Sequence, residues 1–225
     1  MEQVTRNLHG QKMGRKGRAT RKRIMDVTLS MLEHRSYKDL TVSEVAAEAG
    51  VSSSTFYVYF KDIEDVLFAC VQEAALDLDP LWAILKEEWT AENAAHQVRR
   101  FVETYNELWD KHRVELRVRN LEADQGNLRF LNIRVETTRD LLQALGKKFA
   151  QLNPSLRHPH QLAIVVHAAM SSLAAQHDIG ITAATRQSRH KLNDALIELI
   201  LAVLGNPHSS APEGAAEGSE RQPRQ

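Results

Sequence analysis

Nine side chains ending in a hydroxyl or an ammonium crowd into one short stretch: Thr41, Ser43, Ser52, Ser53, Ser54, Thr55, Tyr57, Tyr59 and Lys61. Groups of this kind donate hydrogen bonds to phosphate oxygens, and they reach base edges when a helix lies in a major groove. The order TVSEVAAEAGVSSSTFYVYF supplies two short helices to carry them. Thr41 and Glu44 have capping-box spacing, with Leu40 and Val45 as a hydrophobic staple around the same helix start. Gly50 is placed to end that helix, because a left-handed residue costs glycine no Cβ clash. Ser52 then caps the second helix, and Val51 and Phe56 have the spacing of a second staple. Phe56 and Phe60, four apart, put two rings on one face; Ser53, Ser54, Thr55, Tyr57 and Tyr59 belong to the other. Two capped helices around a glycine turn read as a helix-turn-helix.

The surrounding charge points the same way. Lys12, Arg15, Lys16, Arg18, Arg21, Lys22 and Arg23 form a basic run without an acid inside it, leading into a helix predicted to begin near Thr20. The chain holds 29 Lys and Arg against 29 Asp and Glu, yet residues 1–61 carry eleven of the cations and six of the acids. A formal net charge of zero therefore hides a basic first quarter and an acidic remainder. That asymmetry is the footprint of nucleic-acid binding at one end of a protein. The arm lacks the bulky apolar face that a helix lying on a membrane needs.

The run TRKRIMDVTLSMLEHRSYKDLTVSEVAAEAGVSSSTFYVYFKDIEDVLFACVQEA resembles the N-terminal domain of the tetracycline-repressor (TetR) family of bacterial transcription regulators. Thr41-Val42, Ala46, Ala49-Gly50-Val51-Ser52, Thr55-Phe56-Tyr57 and Tyr59-Phe60 carry the resemblance. Three positions depart from the family pattern. Ser53-Ser54 replace a common glycine, Ile63 stands where a lysine is usual at the start of the fourth helix, and Arg35-Ser36 precede Tyr37 where a glycine is usual. The phosphate contact that Ile63 cannot make is expected to move to Lys61 or the arm.

The resemblance implies a division into a flexible basic arm (1–19), a helix-turn-helix domain (20–62), a regulatory domain for ligand binding and dimerisation (63–204) and a disordered tail (205–225). The tail is rich in Gly, Pro, Ser, Ala, Glu and Gln. Helical periodicity continues through the body, without flanked hairpin strands, so the fold class is all-α. Asp62 is placed to cap a fourth helix ended or kinked by Pro80. Further helices are expected near 92–112 and 114–124, then a long one with Leu128, Leu131, Val135, Leu142, Leu145 and Phe149 on one stripe, stopped at Asn153-Pro154.

The last two helices are more apolar. Leu162, Val165, Val166, Ala169, Met170 and Leu173 form one stripe; Leu192, Leu196, Leu199, Ile200 and Val203 form the other. The resemblance implies that such helices from two subunits form a four-helix bundle, which pairs two reading heads with a near-palindromic operator in double-stranded DNA. Leu162, Val166, Met170, Leu173, Leu192, Leu196, Leu199 and Val203 are the expected homodimer contacts. Trp82, Phe101, Tyr105, Trp109 and Phe130 concentrate aromatic surface in the body, with Glu122, Arg134, His167 and Met170 as further candidates for a small-molecule pocket. Family bodies commonly bind an inducer, here expected to be apolar or amphipathic.

Catalysis finds little support. His158, His160, His167 and His177 lack a recognised metal-ligand spacing, and no phosphate-cradling or nucleophile-elbow motif occurs, so no metal, cofactor or catalytic residue is assigned. Cys70 is the sole cysteine, and no apolar run approaches the ~18 residues of a membrane span; a cytoplasmic regulator without a membrane partner is expected. The first reading is thus a ligand-released dimeric repressor. A ligand-independent architectural DNA-binding protein, or an all-α enzyme with a vestigial head, is the alternative.

Overall fold

The chain is all-helical in the computed structural model, which describes residues 6–75, 77–178, 180 and 188–205. The expected tail falls outside the described residues from position 206 onward. Among the described residues the order is α1 (Arg15–Leu32), a 3-10 turn (Tyr37–Asp39), α2 (Val42–Glu48), α3 (Ser53–Tyr59), α4 (Ile63–Ala74), α5 (Asp79–Lys86), α6 (Ala94–Lys111), α7 (Arg113–Asp124), α8 (Leu128–Leu152), α9 (Pro159–Asp178) and α10 (Arg189–Leu204).

Three apolar clusters organise these helices. The head is built around Ile24, Met25, Val45, Ala46, Phe56, Phe60, Val66 and Cys70, which draw α1 to α4 together. Each buried phenylalanine contributes roughly 1.5–3 kcal/mol by leaving water. A second cluster, with Leu40, Leu67, Val118, Phe130 and Ile133, joins head to body. The third fills the body from Leu81 through Trp109 and Phe149 to Leu204. Helices α8 and α9 approach closely at Gly146. A Cβ on Gly146 would meet the Cα of His160 at 2.9 Å, so only glycine fits that crossing.

Several boundaries differ from the sequence reading. The first helix starts at Arg15, five residues early, so Arg15 and Arg18 stand on a helix rather than in a flexible arm. Residues 6–12 close through an antiparallel bridge between Arg6 and Lys12, with Asn7 Oδ1 accepting from the amides of His9 (3.0 Å) and Gln11 (2.9 Å). The Leu8 amide donates to the Val58 carbonyl at 3.1 Å, which pins this turn to α3. Met13 is buried, an apolar anchor that the basic composition of the arm conceals.

The fourth helix ends at Ala74, before Pro80; that proline sits in the first turn of α5, where its missing amide hydrogen costs nothing. On α8 the inward face begins with Phe130 and Ile133, while Leu128 and Val135 are exposed. The missing glycine before Tyr37 leaves no gap in the fold: Ser36 caps the 3-10 turn, its hydroxyl accepting from the Lys38 amide.

Candidate nucleic-acid interface and effector cavity

The helix-turn-helix forms by the local signals of its sequence. Thr41 Oγ1 accepts from the Glu44 amide at 3.3 Å, and the Thr41 amide donates to Glu44 Oε2 at 3.0 Å, completing the capping box. Arg35 adds two contacts of 3.1 Å to the same carboxylate, and hydrogen bonds from Thr41 hold Glu44 below the usual carboxylate range. Gly50 adopts φ 63°, the left-handed conformation the turn requires. Ser52 Oγ accepts from the Thr55 amide at 3.1 Å and lies 2.8 Å from Ser54 Oγ and 2.9 Å from Thr55 Oγ1.

Phe56 and Phe60 turn inward with ring centroids 5.9 Å apart, so α3 presents its opposite side to solvent. Ser53, Ser54 and Tyr57 are exposed there, Tyr57 at 50% while its ring meets Phe56 edge-on. Ser43 and Lys61 are exposed beside them. Thr55 and Tyr59 are half-buried, and Tyr59 packs on the head core with its hydroxyl beside Gly17 of α1. The Thr41 hydroxyl already donates to Glu44 at 2.7 Å.

The basic residues divide into two sets. Arg15, Lys16 and Arg18 are exposed in the first turn of α1, which contains no acid. Cations there oppose the helix dipole, so the fold gains nothing from them and an external anion would. Among the described residues no carboxylate pairs with Arg15, Lys16, Arg18 or Lys61, while the Arg18 guanidinium donates to the Met13 carbonyl at 2.8 Å. Arg21 belongs to the second set. It stacks on Phe60, 5.1 Å from the ring centroid, and contacts Glu73 at 3.4 Å, so it ties α1 to α4 instead of facing outward.

The body encloses a cavity of about 50 Å³. Its wall includes Ala74 and Ala75 at the end of α4, Tyr105 and Trp109 of α6, Arg119 of α7 and His167 of α9. Three of the nine expected ligand residues, Tyr105, Trp109 and His167, meet there. Trp82, Phe101 and Met170 pack in the body core away from this wall, and Phe130 is buried in the head–body cluster with its ring 5.4 Å from Phe68. Glu122 lies at the head–body junction, accepting hydrogen bonds from the Tyr37 hydroxyl and from Asn127 Nδ2, the latter at 2.9 Å. Arg134 pairs with Asp124 at 2.8 Å near the surface.

In the sequence Arg119 stands as one member of the polar string Arg117, Arg119, Asn120, Glu122, Asp124 and Arg134. It is 8% exposed. Burial holds its guanidinium below its usual range, and burial together with the Arg119 charge pushes His167 down to about 4, so His167 is neutral. The His167 ring stands edge-on to Tyr105 with centroids 5.6 Å apart.

The outermost body helices resolve the apolar stripes. Val166, Met170 and Leu196 face their own core, and Leu162, Leu173 and Leu192 are half-buried. The outward face carries Ile164, Val165 and Ala168 on α9 and Ala195, Leu199, Ala202 and Val203 on α10, with Val165 63% and Leu199 62% exposed, beside the exposed Gln161, Ser172 and Glu198. Leu199 and Val203 are thus the two expected dimer contacts that point away from the protomer. No helix among the described residues is long and apolar enough to cross a membrane.

Comparison with known proteins covers both regions of the chain. Residues 24–70 match the family model described as bacterial regulatory proteins, tetR family, and residues 83–207 match the tetracyclin repressor-like C-terminal domain. The fold resembles that of the fatty acid degradation regulator FadR from Bacillus halodurans, with TM-score 0.63 and 17% identity over 89% of this chain and 100% of that one. FadR from Bacillus subtilis in complex with stearoyl-CoA gives TM-score 0.62 and 18% identity over 81% of this chain and 98% of the other. A TetR-family regulator from Syntrophomonas wolfei gives TM-score 0.64 and 12% identity over 84% and 97%.

Proposed function

Because the chain belongs to the TetR family of bacterial transcriptional regulators, we propose that it acts as a homodimeric repressor released from a near-palindromic operator by a small apolar or amphipathic ligand. The observation that carries the DNA-reading role is the exposed hydroxyl face of α3 beside cations that no acid among the described residues neutralises. In this reading Ser53, Ser54 and Tyr57 meet base edges, while Ser43, Thr55, Lys61, Arg15 and Arg18 meet phosphates. Thr41, Ser52, Tyr59 and Arg21 shape the head from behind, since their polar atoms or rings are engaged within it.

Dimerisation follows from the apolar outward face of α9 and α10. A second copy of the same surface would bury it, and a twofold axis there would set two α3 helices against two half-sites.

Release couples through α4. Its first and middle turns carry Val66, Ala69 and Cys70 into the head core, while Ala74 and Ala75 at its C-terminal end line the body cavity. A dry apolar cavity of about 150 Å³ is what benzene needs, so a ligand entering this smaller one must widen it. Displacing the end of α4 tilts the head that its beginning holds. The stearoyl-CoA bound by one structural neighbour supports an amphipathic effector.

Mapping of bound sites across the genome, followed by footprinting of one site, tests this reading. A few near-palindromic footprints, abolished when a metabolite is added, are expected. Coating of many unrelated sites without release by any metabolite would support the architectural alternative instead.

A further inference from the structure

We infer that the body cavity is built for the carboxylate of an apolar organic acid, with the guanidinium of Arg119 as its anchor; this rests on the effector reading above. Apart from Arg119, Thr137, Thr138 and His167, the described cavity wall is aliphatic and aromatic. Leu78, Leu81, Leu108, Leu116 and Leu141 supply the bulk, and no Asp or Glu among the described residues lines it.

Three observations set Arg119 apart. Among the described residues it is the one formally charged member of that wall, since His167 is neutral. Among the described residues no carboxylate lies within ion-pair distance; Nε and Nη2 share a single neutral acceptor, Asn120 Oδ1, at 3.2 and 3.1 Å. The other cavity polar groups offer it no anion. Thr137 and Thr138 donate their hydroxyls back to carbonyls of α8, at 2.7 Å to Ile133 and 2.8 Å to Arg134. The Trp109 indole nitrogen is buried without a hydrogen-bond partner, a further donor in the same wall.

A buried cation without a counter-charge is costly, and the fold keeps this one although a neutral residue would fill the space. A carboxylate matches the planar fork of a guanidinium, replaces the missing counter-charge and can also accept from an N–H donor such as the indole. The apolar remainder of the acid would then lie among the leucines, and a neutral ligand of the same shape would leave Arg119 as it is now. Because α7 carries Arg119 and packs against α4, the anchored head group would sit beside the helix that links cavity to head.

Calorimetric titration of the full chain with decanoate, decanol, methyl decanoate and decanoyl-CoA tests the assignment. The acid should bind about ten- to a hundredfold more tightly than the alcohol or ester, the range expected for a hydrogen bond to a charged group. In Arg119→Gln that preference should fall toward one, chiefly through weaker acid binding. The wild-type ligand series needs no variant and so stands independently of any effect on folding.

Equal affinity of the wild type for acid and alcohol would overturn the inference. So would an acid preference retained in Arg119→Gln, a preference for decanoyl-CoA over the acid, or no binding by any of the four. Operator release read in parallel separates the two levels. Release by acid and alcohol alike removes Arg119 from effector choice and keeps the effector reading, whereas tight acid binding without release keeps the Arg119 assignment and removes the effector reading.

Discussion

Two outward helix faces in this molecule have no partner among the described residues, and their chemistry is opposite. On α3, Ser53, Ser54 and Tyr57 turn hydroxyls to solvent beside unpaired cations; on α9 and α10, Val165, Leu199 and Val203 turn bare hydrocarbon to it. The same construction underlies both. A helix buries one apolar stripe in its own core and keeps the other side for something outside. A polar, positively flanked face suits a hydrated polyanion, while an apolar face suits a dry copy of itself.

The largest test removes the second face. Glutamates at Val165 and Leu199 together should give a monomer by analytical ultracentrifugation, with the helical content unchanged because both sites are exposed. Operator affinity should then fall by about a hundredfold or more, since the second head loses its effective concentration. Leu196→Glu is the control. That residue faces its own core, so the charge should unfold the body rather than separate folded subunits. A dimer persisting in the double mutant would dissociate this face from assembly.

The next test strikes the first face. Tyr57→Ala should cost roughly 1–3 kcal/mol of operator binding per subunit and leave thermal stability nearly unchanged, because half of the side chain is already in water. Binding of a footprinted operator at wild-type affinity would remove Tyr57 from the readout.

These faces were not equally legible in the sequence. The α3 side was fixed by local signals: the Thr41–Glu44 box, Gly50 in the turn, the Ser52 cap and the Phe56–Phe60 pair each act within a few residues, and all formed where the spacing put them. The α9 and α10 side depends on which of several apolar stripes meets the core. Val165 and Val166 are adjacent in sequence, and only the packing of α6 and α8 against α9 decides that Val166 goes in and Val165 stays out. Arg119 was hidden for a related reason, because a charged residue in a charged string reads as solvated until a fold buries it. Pro80 misled through an ambiguity of proline itself, which stops one helix and opens another equally well.

A smaller test separates the two kinds of arginine in the basic run. Arg15→Ala or Lys61→Ala should make the log-log salt slope of operator binding shallower by about 0.9 for each phosphate left unneutralised, with the melting temperature unchanged. Arg21→Ala should do the reverse. It removes the stack on Phe60 and the contact to Glu73 that join α1 to α4, so the melting temperature should drop while the salt slope stays.

The smallest expected effect probes the joint between the two faces. His112, between α6 and α7, bonds Glu115 through Nδ1 at 3.4 Å and Asp77, just beyond α4, through Nε2 at 2.8 Å. Glu115 foremost, with Asp77, raises the imidazole pKa above its usual 6.5. A raised pKa in the folded state means that protonation favours folding. The stabilisation is therefore fully present below the unfolded value and is lost as pH rises through the folded one. Wild type should lose melting temperature over that window relative to His112→Gln, whose profile should be flatter there. The difference should be modest, because the ring is only partly buried and solvent screens it. Parallel profiles for the two proteins would mean that His112 holds Asp77 by shape alone, and that the link from α4 to the body carries no charge dependence.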